Sequence, residues 1–163
     1  MTEEEVVCEV ENAFADVPYP GDDSIVERMD WEGIGIREDF IGKHWRDVVD
    51  PDFLSAHRLF VFFSVEGVRF YLPAYLIGLI RYPEAGIEWA DGMLSVLYPP
   101  DRWGNGWLQR WDNQMSILSP AQKHSVRLVL EYMLETQPDF WWHIDEVPGH
   151  ALKLAIANYW NQF

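Results

Sequence analysis

The feature that most constrains this chain is an eleven-residue run from Phe70 to Ile80 that carries no charge and is closed at each end by an arginine, Arg69 and Arg81. As an α-helix it rises about 16 Å, against a bilayer hydrocarbon core of about 30 Å. It is too short to span a membrane and too apolar to lie on a surface, so it predicts a helix buried in a globular core. Ser64 reads as its cap, and the helix is expected over residues 65–81. Pro73 removes one ladder hydrogen bond, which predicts a bend near residues 69–72. Tyr71 and Tyr75, four apart, are expected to stack and to place both hydroxyls at one spot.

A helix of that kind needs other helices around it, and the rest of the chain supplies candidates. Thr2 and Glu5 form a capping-box pattern, followed by Val6, Val10, Ala13, Phe14 and Val17 on one face, until Pro18 and Pro20 end the helix. Asp23 or Ser24 is placed to cap a short helix through Met29. Residues 30–35 read as a loop, residues 38–49 as another short helix with Phe40, Ile41, Trp45 and Val48 inward, and Pro51 with Asp50 before it as a third. Residues 59–63 fit a buried strand or a helix equally well. Residues 82–92 read as a loop, residues 107–118 as a helix, and Ser119-Pro120-Ala121-Gln122 as the start of a helix through Thr136. A last helix is expected over residues 148–160. Long alternating strands are missing. The expected fold is therefore mainly α: one compact helical domain over residues 1–163, with room for a small two-stranded element. At 163 residues, 48% hydrophobic and 15% aromatic, the chain has enough apolar material to fold without disulfides. Its single cysteine, Cys8, forms none within the chain. About two-thirds of the nine tryptophans are expected in the core.

The formal net charge is −15. It is unevenly spread: residues 1–58 hold sixteen acids and five bases, whereas residues 59–163 hold eleven and seven. Such a field repels nucleic-acid phosphates and anionic lipids, attracts basic protein surfaces, and also keeps a protein in solution. The acidic N-terminus lacks the basic and apolar regions of a secretory signal, so a cytoplasmic location is expected.

Catalytic signatures are missing. There is no Gly-x-Ser-x-Gly elbow and no phosphate loop, and Gly33-Ile34-Gly35 and Gly104-Asn105-Gly106 lack the rest of a dinucleotide fingerprint. His143, Asp145, Glu146 and His150 lie close together, but Pro148 and Gly149 interrupt any helical ligand pairing. Asp22, Asp23 and Asp30 lack the spacing of a calcium loop. No metal or cofactor is expected. Arg102, Arg110, Lys123 and Arg127, interleaved with Trp103, Trp107 and Trp111, are the one basic-aromatic group, too sparse against the acidic background to predict nucleic-acid binding.

Three stretches resemble a family of small uncharacterised bacterial proteins: Ala13-Phe14 with Val17-Pro18-Tyr19-Pro20; Arg69-Phe70-Tyr71-Leu72-Pro73-Ala74-Tyr75-Leu76; and Leu118-Ser119-Pro120-Ala121-Gln122. The resemblance implies a bacterial source and one shared fold, and carries over no catalytic residue. The stretch from Trp103 to Trp111 and the segment after Pro138 lie outside it.

These readings favour an acidic protein-binding module. Its sharpest form is an immunity or inhibitor protein that neutralises a basic partner such as a toxin. Asp22, Asp23, Glu27 and Asp30 would meet the partner's lysines or arginines, with Trp31 as aromatic anchor and Trp103 and Trp107 as further exposed candidates. The alternatives are an adaptor subunit and an enzyme with a site near His143, Asp145 and His150.

Overall fold

The computed structural model describes residues 1–58, 60–98, 105–138 and 150–163, with residues 91, 94, 95, 105–107 and 150 described by backbone alone. The described residues form eight α-helices: α1 Glu3–Ala13, α2 Trp31–Phe40, α3 Pro51–Ala56, α4 Val65–Arg81, α5 Pro83–Leu97, α6 Asn105–Ile117, α7 Pro120–Thr136 and α8 His150–Asn158. Single 3-10 turns cover Asp22–Ser24, Trp45–Val48, Phe60–Phe62 and Trp160–Gln162. Among the described residues there is no sheet, and the fold is all-α. The small two-stranded element reduces to one antiparallel bridge between Val26 and Phe63. None of the described helices is long and apolar enough to cross a membrane.

Helix α4 is the centre. From Gly67 to Ile80 every residue except Arg69 is buried. The helix continues through Pro73, and packs against α1, α3, α5, α6, α7 and the Trp45–Val48 turn. Around it α1 lies on α7, α7 on α8, and α3 on α5. The helix ends follow the local chemistry. Thr2 and Ser119 make complete capping boxes with Glu5 and Gln122, and Asp50 accepts from the Phe53 amide at 2.9 Å with Pro51 as the first helical residue. Ser64 accepts from the Gly67 amide at 2.9 Å. Gly67 is required there, because a Cβ would collide with the Ile25 carbonyl. That close approach seats the Val26–Phe63 bridge on the first turn of α4.

Two buried phenols bind the loops to this helix. Tyr71 donates to the carbonyls of Phe40 (3.2 Å) and Lys43 (3.0 Å), and Tyr75 donates to the carbonyl of His57 at 2.6 Å. The hydroxyls therefore do not meet at one spot: each satisfies a different stretch of irregular backbone. The rings sit among aromatics. Phe40 packs edge-on against Phe53, Phe63 and Tyr71, and Phe60 against Tyr75.

Four local expectations are corrected. Residues 83–97 form helix α5; Trp89, Ala90, Met93, Val96 and Leu97 are fully buried, and this burial outweighs the helix-weakening Gly86 and Gly92. Residues 31–40 are helical because Asp30 caps them, and the helix stops at Phe40, so residues 38–49 are not one helix. Only the turn Asp22–Ser24 forms ahead of Met29, since Val26 is held in the bridge to Phe63. Residues 60–62 are a 3-10 turn, neither strand nor α-helix. Of the tryptophans whose side chains are described, Trp45, Trp89, Trp111 and Trp160 are buried and Trp31 is exposed.

Burial raises the Tyr71 and Tyr75 phenols well above the ordinary value of 10.0, with the neighbouring Tyr19 adding to the effect on Tyr71 and Tyr71 to that on Tyr75. Below pH 10 both phenols are protonated, folded or unfolded, and their contribution is complete. As pH rises past 10.0, the unfolded chain ionises while the folded one does not, so stability falls until the raised folded values are reached. Urea unfolding followed from neutral pH into this alkaline range should show a loss of about 1.4 kcal/mol per pH unit for each of the two tyrosines. Tyr75→Phe should remove one share of that slope and cost about 1–3 kcal/mol at neutral pH, because the His57 carbonyl loses its donor.

Candidate protein-binding surface

The acidic first third of the chain places its most unusual surface on α2. Asp30 accepts from the Gly33 amide at 3.0 Å, and Glu32 lies in the first turn, where the helix dipole favours it. Gly33 faces inward so tightly that a Cβ would collide with the Arg28 carbonyl. At the far end Phe40 enters the core. Between them Arg37 reaches back to the preceding turn, donating from Nε to the Asp22 carbonyl at 2.9 Å and from its guanidinium to the Asp23 carboxylate at 2.6 Å. Tyr19 donates to the Asp22 carboxylate at 2.6 Å and accepts from the Gly42 amide at 3.0 Å; burial, then the bond to Asp22, raises its phenol above the ordinary value. The helix is held by these few attachments and takes no part in the extensive helix–helix packing.

With Gly33 and Phe40 inward, the opposite face is open. Trp31 is 81% exposed and Ile34 39% exposed, and the flanking Met29 and Ile41 are 56% and 39% exposed. Successive helical residues turn by about 100°, so Trp31, Ile34 and Glu38 fall along one stripe. Between Asp22 and Asp39 the sequence holds seven acids and two bases, and both bases are engaged: Arg28 with Asp30 at 2.5 Å and Arg37 with Asp23. Glu32 and Glu38 are exposed beside the apolar residues. The result is an exposed apolar ridge in a negative frame.

The sequence-predicted residues fall into two groups. Asp22, Asp23, Asp30 and Trp31 gather on α2 and the turn that braces it, with their carboxylates engaged by Tyr19, Arg37 and Arg28. Glu27 faces elsewhere: it pairs with Arg110 of α6 at 2.5 Å, and Arg110 also donates to the Phe63 carbonyl at 2.7 Å. Trp103 lies outside the described residues, as does the side chain of Trp107. His143 and Asp145 also lie outside them, and His150 is described only as backbone on α8. Of the basic-aromatic group, Arg102 lies outside the described residues, Arg110 serves Glu27, and Lys123 and Arg127 meet at the C-terminal aromatics: Lys123 lies over the Tyr159 and Phe163 rings, Arg127 pairs with Glu131 and bonds the Phe163 carbonyl, and Trp111 packs on Tyr159. Ile41, expected to face inward, is exposed, and Met29 and Ile34 were not foreseen as surface residues. For Ile34 and Ile41 the signal was the spacing of apolar residues beyond the capping Asp30, hidden by the two glycines.

Among the described residues, no group of three or more His, Cys, Asp or Glu side chains is placed to hold a metal ion. His57 lies 3.5 Å from Asp39, but its ring packs edge-on against Phe40 and Phe53. Burial lowers its pKa below the ordinary 6.5, with Lys43 acting in the same sense and Asp39 against both. It is neutral at pH 7 and serves as a packing group.

Residues 2–163 match a family of unknown function, DUF6714. The chain belongs to that family. No curated protein and no solved structure matches the chain. The likeness thus covers nearly the whole sequence and assigns no activity, which leaves surface chemistry as the guide to function.

The pairing of Glu27 with Arg110 is partly solvent-screened, so Glu27→Gln should cost no more than about 1 kcal/mol. Arg110→Met should cost more, because the Phe63 carbonyl also loses its donor. Chemical denaturation of the two variants and their double mutant checks that order; equal losses would mean that the carbonyl contact contributes nothing.

Proposed function

We propose that this chain is an acidic protein-binding module, and in its sharpest form a bacterial immunity or inhibitor protein that neutralises a basic partner, such as a toxin, in the cytoplasm. The observation that carries the reading is Trp31, which stands 81% exposed on an acid-framed helix. Negative charge alone serves solubility, but a solvated Trp beside exposed Met29 and Ile34 works against it. Tryptophan is favoured at the centre of interfaces, where acids around it steer a basic partner and fix its orientation. The first helix supports the same reading. It carries Glu9 and Glu11 towards its C-terminal end and has no base in its last turn, where the dipole favours cations. Burial offers no compensation at Glu9, which is exposed.

The role of the four carboxylates is correspondingly divided. Asp22 and Asp30 organise the turn and cap that present Trp31. Asp23, with a side chain 94% exposed, keeps carboxylate surface open to a partner even while paired with Arg37. Glu27 stands apart from the α2 face, paired with Arg110 of α6, and would meet a partner only at the edge of the surface.

Affinity purification from the source bacterium at low and moderate salt, followed by titration of the purified partner, tests the proposal. The expected result is a single basic protein whose affinity falls steeply with salt. Trp31→Ala should weaken binding tenfold or more while shifting unfolding stability by less than about 0.5 kcal/mol, since the residue is 81% exposed in the free protein. Charge reversal at Asp23 and Glu27 that leaves a folded variant with undiminished binding would sink the assignment of this face.

A further inference from the structure

The glycines of the described helices do not all have the same reason to be glycine. A Cβ at Gly33 would strike the Arg28 carbonyl, one at Gly67 the Ile25 carbonyl, and one at Gly78 would meet Leu54 Cδ1 at 2.5 Å and the Trp89 ring at 3.1 Å. Each is needed for packing within the chain. Gly35 differs: a Cβ there would meet nothing within 4 Å, and its backbone is not in the left-handed region. It lies in the interior of α2, where glycine is less favourable than alanine by about 1 kcal/mol. Nothing inside the folded chain requires it.

What Gly35 does is leave bare backbone on the exposed side of α2. At helical spacing it lies one turn beyond Trp31, next to Ile34, and one turn before Glu38 and Asp39. Its surroundings are thus an open notch with a large aromatic on one side, a branched apolar residue beside it, and carboxylates further along. Helices approach one another most closely where a residue has no side chain, because a neighbouring knob can then rest on the backbone itself. A second copy of this chain is a poor occupant, since it would set one acidic surface of net charge −15 against another.

Resting on the reading of the chain as an acidic protein-binding module, we infer that Gly35 is the close-approach point for an amphipathic basic helix of the partner, laid across α2 with its apolar side on Trp31 and Ile34 and its lysines or arginines towards Glu32, Glu38 and Asp39. The helix α2 spans about 15 Å, enough to seat two to three turns of such a partner.

The probe is a synthetic amphipathic helical peptide of leucine, alanine and lysine, titrated into the full chain and followed by backbone amide NMR shifts and tryptophan fluorescence. The expected result is shifts concentrated on residues 29–41. Gly35→Ala is expected to raise the thermal midpoint, and Gly35→Leu to leave the fold intact while weakening the peptide at least tenfold. Undiminished binding by Gly35→Leu, or shifts concentrated on the α1 glutamates, would overturn the inference and leave the acidic binding module standing. Failure of the peptide to bind anywhere would overturn the inference, whereas the acidic binding module falls only if the affinity purification yields no basic partner. A fall in thermal midpoint for Gly35→Ala would show that the fold itself needs this glycine, and would also overturn the inference.

Discussion

Everything in this molecule is arranged around the burial of α4. A helix that is apolar on nearly every side cannot sit at a surface, and at about 25 cal/mol per Å² its removal from water is the largest single gain the chain can make. That gain carries an obligation, because the helix includes two phenols whose hydroxyls cannot be left without partners in an apolar interior. The chain meets it by bringing irregular backbone to the helix. The carbonyls of Lys43 and His57 lie on irregular backbone, the Phe40 carbonyl accepts from the Lys43 amide at 3.1 Å and has a second lone pair to offer, and the tyrosines reach all three. Core and loops therefore solve one another's hydrogen-bonding problem.

This division explains why α2 lies at the edge. Its C-terminal end is fixed, through Phe40, to the tyrosine cluster, and its N-terminal end is fixed through Gly33 to the backbone just before it. With Ile36 partly buried between these ends, the helix has little interior to fill, so its opposite face stays in solvent with Trp31 upon it. The ionic contacts around it have a bracing role. Arg37 donates to the Asp23 carboxylate and the Asp22 carbonyl, holding the helix to the preceding turn while the surrounding field stays negative.

The elements legible in the sequence were those with local causes. The capping boxes at Thr2 and Ser119, the proline starts at Pro51 and Pro120, and the extent of α4 all follow from nearby residues and agree with the structure. The misread elements have tertiary causes. Helix α5 contains Gly86 and Gly92, which suggest a loop until Trp89 and Met93 are seen to be buried. Helix α2 contains Gly33 and Gly35, one forced by a contact and one free of any. The tyrosine hydroxyls separated because their partners are carbonyls far along the chain, and no side-chain pattern marks those. The candidate surface was half legible: charge composition pointed to Asp22, Asp23, Asp30 and Trp31, but only the structure shows that Glu27 turns towards α6 and that Met29 and Ile34 accompany Trp31.

The tyrosine contacts have one consequence for how such a chain can change over generations. At Lys43 the Tyr71 phenol donates to a backbone carbonyl, a group that every amino acid carries in the same form. The side chain at that position can be exchanged without depriving the phenol of its acceptor. A family built this way can redraft its outer face, charge by charge, while the interior chemistry that defines it stays still. The part of the molecule that meets the outside world is thus uncoupled from the part that holds it together.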